Sequence, residues 1–373
     1  MKKVNSRQAS IEMLRCLCMF TVVLLHALGR VLYQLEPFSA QYFICWFLEG
    51  IAFVAVNCYV LISGYFLVKS RFTIKKIFLL VFEVFIYSIT IYIFSVWRGY
   101  YKFSKIDLLK NLFPISFGNW WFVTVYIGMY ILSPFINIGI HAMSRKMHTL
   151  LATVMVLLFS VYPNVFFTSE GFQTHSGYSL IWFICLYVIA AWIRLYYIPN
   201  YRIGKKLIVY LCVAVMVPLS RFIIGYITFA LRGEMYHEDL FYNYNSVLVL
   251  ASSILLFLLF LNYKGNDTIM GRIALRMGAL TFAVYLIHEH DWLQDVIWSY
   301  FDLPGKVNKI YFVPYIFFSV IVIYIVCLLI DCIRIRIFKQ MTCSDWFSRL
   351  FVRLTQYCIS LCSKFDMLLM KNK

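Results

Sequence analysis

The sequence predicts an all-α membrane protein, a bundle of about ten transmembrane helices whose N-terminus and C-terminus both lie in the cytoplasm. Of its 373 residues, 62% are hydrophobic and 14% are charged, whereas a soluble domain has about 45–50% apolar and about 25% charged residues. This apolar excess is too large for one buried core. Apolar runs of about twenty residues, enough to cross the hydrocarbon core of a bilayer, recur from one end of the chain to the other.

The predicted spans follow these apolar runs along the chain. They cover approximately residues 11–33, 42–68, 76–97, 119–140, 149–167, 178–197, 206–230, 245–263, 271–291 and 310–333. Short polar breaks separate them, among them "VKSRFTIKK" after the second span, "SRKMH" after the fourth and "NYRIGKK" after the sixth. The first run is full length and lacks a small-residue cleavage site, so we expect a span there and not a removable signal peptide.

Lysine and arginine are unevenly divided between the connections. With the N-terminus inside, the cytoplasmic connections include the basic breaks 69–76, 145–146, 202–206, 264–276 and 334–339. On the opposite side, residues 165–177 carry no Lys or Arg and residues 231–245 carry one, although residues 97–111 carry four. Because cytoplasmic loops are enriched in Lys and Arg, this asymmetry predicts an even number of spans with both ends inside.

Charge and cysteine usage exclude two other classes of protein. The formal net charge of +17 does not indicate nucleic-acid binding, because the basic residues lie at span ends and not on a soluble basic face. The eleven cysteines show no CxxC pair and no zinc spacing, which is typical of small buried hydrophobic residues. We expect a transmembrane domain over residues 1–339 and a cytoplasmic, basic amphipathic tail over residues 340–373.

Ionisable residues inside the spans mark the candidate site, because they are costly in lipid and usually face the bundle interior or a wet cavity. In the first span, "IEMLRCLCMFTVVLLHALGR", Arg15 and His26 are 11 residues apart. At about 100° per residue this is nearly three full turns, so both side chains project from one face, about 16 Å apart along the axis. Arg15 is then near the cytoplasmic edge, and His26 lies in the outer half.

The ninth span supplies a second histidine at a similar depth. In "TFAVYLIHEHDW", Tyr285 and Asp291 lie three residues to either side of His288, on a similar face of a helix. Further intramembrane ions are Arg221 and Glu49 toward the outer half and Glu83 nearer the inner side.

Each of these residues also has a purely structural interpretation. A membrane histidine can simply bond a neighbouring helix, and Arg15 can be a boundary charge of the positive-inside kind. Structural ion pairing would equally account for Glu49, Glu83 and Arg221. A metal site within residues 288–291 is not expected, because residues i and i+2 of a helix face apart, unlike an i, i+4 histidine pair.

An ordered set of motifs resembles a known family. The segments are "SIEMLRCLCMFTVVLLHA", with an acid before Arg15 and a histidine after ten intervening residues; "VNCYVLISGYFL", with Ser63-Gly64-Tyr65; "NWWFVTVYIGMYILSPFIN", with Trp121, Phe122 and Pro134; "GYSLIWFICLYVIAAWIRLY"; and "TFAVYLIH". Together they resemble the acyltransferase 3 family of bacterial membrane acyltransferases, which includes O-acetyltransferases of lipopolysaccharide and exopolysaccharide. The likeness covers the whole membrane region, with Glu12 where the family commonly has aspartate.

The resemblance implies transfer of an acyl group, typically acetyl from acetyl-CoA, to a hydroxyl of a surface or lipid-linked glycan in the bacterial cytoplasmic membrane. The donor is cytosolic and the acceptor is often outside, so a route across the bilayer is needed. Arg15 then holds a CoA phosphate by charge-assisted hydrogen bonds. The pantetheine arm extends to His26, which acts as general base toward the sugar hydroxyl, or becomes transiently acylated itself.

The resemblance also implies roles for neighbouring residues. The catalytic set is His26, Glu12 and His288, and the donor-binding set is Arg15, Arg221 and Tyr285. We expect Glu49 or Asp291 to orient His26, Arg221 or Tyr285 to stabilise the thioester oxyanion, and no metal. The rival interpretation is a polysaccharide or small-molecule transporter or flippase, because intramembrane His, Glu and Arg also mark ion pathways. A structural subunit of a polysaccharide assembly complex would need neither histidine.

Overall fold

The computed structural model describes residues 7–168, 171–200, 203–265 and 268–342, together with residues 353, 356, 357 and 360. This part of the chain is helical and contains no β-strand, which confirms the all-α prediction. Most of the predicted tail, residues 340–373, lies outside the described residues. The division of the chain into a membrane domain and a tail therefore stays a prediction.

Helices follow one another along the whole described chain. The first half contains α1 (Ala9–Gly29), α2 (Ala40–Ala52), α3 (Ala55–Leu67), α4 (Ile74–Trp97), α5 (Lys105–Leu112), α6 (Trp121–Ala142), α7 (Arg145–Val156) and α8 (Tyr162–Val165). The second half contains α9 (Leu180–Tyr196), α10 (Gly204–Arg232), α11 (Val247–Leu261), α12 (Ile269–Met277), α13 (Thr281–His288), α14 (Gln294–Phe301), α15 (Leu303–Lys306) and α16 (Phe312–Thr342). Short helical turns lie at Leu32–Gln34, Leu157–Val161, Gly171–Gln173 and His175–Gly177.

Serine caps decide where several helices begin. The hydroxyl of Ser39 accepts a hydrogen bond from the amide of Tyr42 at the start of α2. In the same way Ser144, Ser179 and Ser246 cap α7, α9 and α11. Each cap satisfies an amide that has no partner within its helix and stabilises that helix by about 1 kcal/mol.

Seven helical segments of the described chain are long and apolar enough to cross a membrane, namely Ala9–Gln34, Ala40–Leu67, Ile74–Trp97, Trp121–Ala142, Arg145–Val165, Gly204–Arg232 and Phe312–Ile337. The pair α12 and α13 meets the same criteria as one span bent by 55°. Two further apolar helices, α9 and α11, have only 17 and 15 residues. A multi-pass helical membrane protein is thus confirmed, whereas the count of about ten spans and the cytoplasmic placement of both ends stay predictions.

Two predicted spans are less regular than their apolar composition indicates. The predicted span 42–68 consists of α2 and α3 with a short turn between them. The predicted span 271–291 bends between α12 and α13, and its helix ends at His288, so that Asp291 lies beyond it. Apolar composition predicts that a segment lies in the membrane, but it does not report breaks within that segment.

Helix α1 lies at the centre of the bundle. It packs against α2, α3, α11, α12, α13 and α16, and its residues Ile11, Leu14 and Leu28 are completely buried. Large apolar side chains of α10 and α16, by contrast, are exposed on the outside of the bundle, as expected of lipid-facing helices. The central position of α1 brings Arg15 and His26 into the interior.

Candidate active site

The two histidines predicted from distant spans are in contact. Nδ1 of His26 lies 2.8 Å from Nε2 of His288, and Nδ1 of His288 lies 2.5 Å from the carbonyl oxygen of Val284. Because a carbonyl oxygen can only accept, this order assigns a proton to Nδ1 of His288 and makes its Nε2 the acceptor. His26 therefore donates through Nδ1, which leaves Nε2 of His26 with an unshared electron pair.

A carboxylate completes this group, which we call the histidine cluster (His26, His288 and Glu289). Oε2 of Glu289 lies 3.0 Å from Nδ1 of His26, and the two side chains are 27% and 30% exposed. A negative charge at this distance stabilises a positive charge on the imidazole. Among the described residues it is Glu289, and not Glu49 or Asp291, that forms the ion pair with His26.

Sequence reasoning missed Glu289 because it extended the ninth span as one regular helix. On such a helix the residue after His288 is turned away by about 100°. In the structure α13 ends at His288, and Glu289 takes the non-helical position that follows. The available signal was a carboxylate directly after the histidine, at the end of an apolar run.

Both histidines lie in the last turn of a helix, His26 in α1 and His288 in α13. The C-terminal end of a helix carries partial negative charge and stabilises a nearby cation by typically 0.3–1 kcal/mol. The two helix ends and Glu289 therefore stabilise a positive charge on the imidazole rings, against the cost of burying that charge.

His26 borders a cavity of about 240 Å³, which we call the histidine cavity. It is lined by Met19, Val22, Leu25, His26, Tyr33, Glu49, Phe53, Val56, Tyr59, Trp121, Phe122, Tyr178, Tyr244, Phe282 and Tyr285. The lining is mainly apolar and aromatic, with a few polar groups, which is typical of sites for small organic molecules. The predicted residue Tyr285 belongs to this lining, and its ring centroid lies 6.3 Å from that of His288.

Arg15 borders a second cavity of about 290 Å³, which we call the arginine cavity. It is lined by Arg7, Arg15, Tyr59, Ser63, Leu80, Phe122, Val123, Tyr126, Gly278, Ala279, Thr281 and Phe282. Three aromatic residues, Tyr59, Phe122 and Phe282, line both cavities, and we call them the aromatic wall. Arg15 and His26 thus border two neighbouring cavities that share these three residues.

Tyr59 ties the aromatic wall to two other helices. Its hydroxyl donates to the backbone oxygen of Arg15 at 2.9 Å and lies 3.3 Å from Oγ1 of Thr281. The wall is therefore anchored to α1 on one side and to the start of α13 on the other.

Glu12 fixes the guanidinium of Arg15 at the edge of the arginine cavity. Nη1 of Arg15 lies 3.2 Å and 3.1 Å from the two carboxylate oxygens of Glu12. Glu12 itself is only 4% exposed. The carboxylate occupies space that only a glycine leaves open, because a Cβ on Gly278 would lie 2.0 Å from Oε2 of Glu12. The break between α12 and α13, where Gly278 lies, is therefore shaped to receive Glu12.

Arg221 lies behind the histidine cavity and not in its lining. Its guanidinium carbon is 3.4 Å from the ring centroid of Trp46, and its Nη2 is 3.5 Å from Glu238. It also forms an ion pair with Asp239. Within the described part of the chain, these contacts bind α10 to α2 and to the following loop, so the donor-binding role of Arg221 stays a prediction.

Asp291 also lies apart from His26. It borders a cavity of about 260 Å³ together with Tyr101, Lys110 and Trp292. Burial raises the pKa of the Asp291 carboxyl, and the positive charge of Lys110 opposes this.

The histidine cluster also has the donor atoms of a metal site. The nitrogen and oxygen atoms of His26, His288 and Glu289 lie within 4.8 Å of one another, and two histidines with a carboxylate form a known catalytic zinc set. The argument against a metal within residues 288–291 does not apply here, since His26 comes from another helix. However, mutual hydrogen bonds already engage Nδ1 of His26 and Nε2 of His288, so the arrangement is explained without a metal.

Comparison with known proteins agrees with the motifs of the sequence. The family model of the acyltransferase domain, acyltransferase 3, matches residues 8–332. The chain belongs to this acyltransferase family. The match runs from the start of α1 into α16 and confirms the resemblance found in the sequence, so the protein is a membrane acyltransferase. No curated protein and no solved structure matches the chain.

Proposed function

We propose that this acyltransferase transfers an acyl group, most simply acetyl, from acyl-CoA to a hydroxyl of a surface or lipid-linked glycan, with His26 as general base. One observation carries the proposal: His26, whose Nε2 the histidine cluster leaves available, borders a cavity that shares three lining residues with the cavity of Arg15. The phosphate-binding cation and the base then stand at the two ends of one path. The protein works in the bacterial cytoplasmic membrane.

The arginine cavity receives the donor. Arg15 donates charge-assisted hydrogen bonds to a CoA phosphate, and Arg7 adds a second positive charge to the same cavity. Glu12 holds the guanidinium of Arg15 in place. The pantetheine arm passes the aromatic wall, so that the thioester reaches the histidine cavity.

The acceptor reacts in the histidine cavity. Nε2 of His26 takes the proton of the sugar hydroxyl while the hydroxyl oxygen bonds to the thioester carbon. The carbon–sulfur bond then breaks, and the imidazolium returns the proton to the departing CoA thiolate. His288 fixes the tautomer of His26, Glu289 and the two helix ends stabilise its positive charge, and Tyr285 serves the oxyanion.

The purified protein in lipid nanodiscs, incubated with labelled acetyl-CoA and a glycan, tests this proposal. Ester formation is expected for the wild type and a loss of 10²- to 10⁴-fold for His26→Ala, the usual range for a general base. His141→Ala is the control, because His141 bonds the backbone oxygen of Val68 and borders neither cavity in the described structure. Unchanged ester formation by His26→Ala would exclude His26 as base, and glycan transport without ester would favour the transporter.

The same electron pair of His26 also serves a covalent route. If His26 were the nucleophile, its Nε2 would carry the acyl group before the acceptor arrives. Mass spectrometry of the peptide containing His26, after rapid mixing with acyl-CoA alone, distinguishes the two routes. General-base catalysis predicts no added acyl mass.

A further inference from the structure

Glu49 of α2 lines the histidine cavity and has one carboxylate oxygen without a hydrogen-bond partner among the described residues. This oxygen, Oε2, is shielded from solvent. A buried acceptor of this kind costs stability when it is left unsatisfied, more so when it is charged. A hydroxyl group of a ligand in the cavity would satisfy this acceptor.

The cations near Glu49 are engaged elsewhere. Arg221 packs on Trp46 and forms ion pairs with Glu238 and Asp239, and its charge acts on Glu49 without a hydrogen bond to Oε2. His26, on the same cavity, pairs with Glu289 through Nδ1. Neither of these two side chains donates a hydrogen bond to Oε2 of Glu49.

Aromatic rings surround the space in front of this carboxylate. Tyr244 stacks on Phe53 with centroids 4.7 Å apart, and lies nearly parallel to Trp121 at 6.2 Å and 26°. The ring centroids of Tyr178 and Trp121 lie 4.5 Å apart. Flat apolar walls with one strong acceptor suit a ring that has apolar faces and hydroxyl groups around its edge.

We propose that Glu49 binds a hydroxyl group of the acceptor sugar other than the hydroxyl that is acylated. This inference rests on the proposed function and deepens it, because it assigns the acceptor to a pyranose-type polyol held between aromatic faces. The carboxylate accepts the proton of one hydroxyl, and the ring packs on Tyr244 and Trp121. A second hydroxyl of the same ring is thereby brought to Nε2 of His26, so Glu49 selects which position reacts.

The test uses methyl glycosides of glucose, galactose, mannose, rhamnose and N-acetylglucosamine as probes, with the full-length protein in nanodiscs. Binding of each probe is measured by saturation-transfer NMR without donor, and ester formation is measured with labelled acetyl-CoA. Glu49→Ala is expected to weaken probe binding and to raise KM for the probe roughly 10- to 100-fold, with KM for acetyl-CoA unchanged. Glu49→Gln, which keeps a hydrogen-bond acceptor, is expected to retain most of the affinity.

The control is Glu36→Ala, which removes the same charge from an exposed position outside the lining of the histidine cavity. Unchanged probe binding by Glu49→Ala overturns the inference, as does a Glu49→Gln variant as impaired as Glu49→Ala, which would indicate a cationic ligand. Probe binding that depends on Glu49 in a protein that forms no ester would support this site and reject the proposed function. Ester formation that does not depend on Glu49 would support the proposed function and reject this site.

Discussion

Two polar clusters in the bundle have similar composition and different surroundings. In the first, which we call the arginine clamp, Arg334 of α16 pairs with Asp331 at 2.6 Å and with Glu83 of α4 at 2.7 Å. Tyr87 donates a further hydrogen bond to Asp331 at 2.7 Å. In the histidine cluster, His26 of α1 likewise contacts residues at the end of α13, but His26 also borders a cavity.

The two clusters differ in whether they border a cavity, and this difference helps to interpret an ionisable residue within the membrane. Neither the histidine cavity nor the arginine cavity includes Arg334, Asp331 or Glu83 in its described lining. The clamp pairs its cation with carboxylates from two helices and thereby joins α4 to α16. In the histidine cluster His26 keeps one ring nitrogen available and borders a cavity. Under the proposed function this combination, more than the presence of charge, distinguishes the reactive site from a structural one.

Removing the cation of the clamp has the largest expected effect and should act on stability alone. Arg334→Ala leaves Asp331, which is fully buried, without its counter-ion, and breaking such a pair costs about 3–5 kcal/mol. We expect a lower midpoint in thermal unfolding of the detergent-solubilised protein. Arg336→Ala, two residues further on the exposed side of α16, should leave the midpoint unchanged.

The activity of the folded fraction decides whether the clamp is purely structural. Per folded molecule, Arg334→Ala should transfer acyl groups at the wild-type rate. A fall in this specific activity with an unchanged unfolding midpoint would show that the arginine clamp contributes to catalysis. The two clusters would then not differ in function.

Altering the histidine cluster should lower activity and leave stability nearly unchanged. His288→Ala removes the acceptor that fixes the tautomer of His26, so we expect kcat to fall by roughly 10²-fold, with KM for acyl-CoA and the unfolding midpoint nearly unchanged. His288→Gln offers a side-chain oxygen to Nδ1 of His26 and should recover part of kcat. A change confined to KM for acyl-CoA would indicate that His288 binds the donor and does not position the base.

A smaller effect is expected where Glu12 meets the break between α12 and α13. Gly278→Ala displaces Glu12, because the added Cβ would lie 2.0 Å from its Oε2, and Arg15 then loses its fixed position. We expect KM for acyl-CoA to rise several-fold while KM for the acceptor is unchanged. Gly139→Ala in α6 is the control, since the nearest atom to its added Cβ is 4.0 Å away. Equal kinetics of the two variants would contradict a role of Glu12 in donor binding.

Metal removal should have no effect. If hydrogen bonds alone order the histidine cluster, dialysis against a strong chelator leaves kcat unchanged, and elemental analysis of the active protein finds no stoichiometric zinc. Loss of activity that returns on adding Zn²⁺ would show that His26, His288 and Glu289 act as ligands, and would replace the general-base assignment.

Sequence reasoning predicted those features that depend on one regular helix. The shared face of Arg15 and His26 on α1 follows from the spacing of 11 residues. In the structure the two residues line adjoining cavities. Likewise, the similar depth assigned to His26 and His288 from their positions in two spans agrees with their contact at 2.8 Å.

Features that depend on breaks in helices could not be predicted in this way. The partner of His26 is Glu289 because α13 ends at His288, and no apolar period reports that end. Arg221 projects from a regular helix, but its partners Glu238 and Asp239 come from the following loop. Periodicity predicts which way a side chain points along its own helix, and it does not predict which distant segment meets it.

The short helix α13 connects the two ends of the proposed path. Thr281 and Phe282, in its first turn, border the arginine cavity, and His288, its last residue, contacts His26. Its eight residues span about 12 Å at 1.5 Å per residue. Each inserted or deleted residue would shift His288 by about 1.5 Å and rotate it by about 100°. The length of α13 therefore fixes how far His288 lies from the arginine cavity, and under the proposed function this distance has to match one length of donor arm.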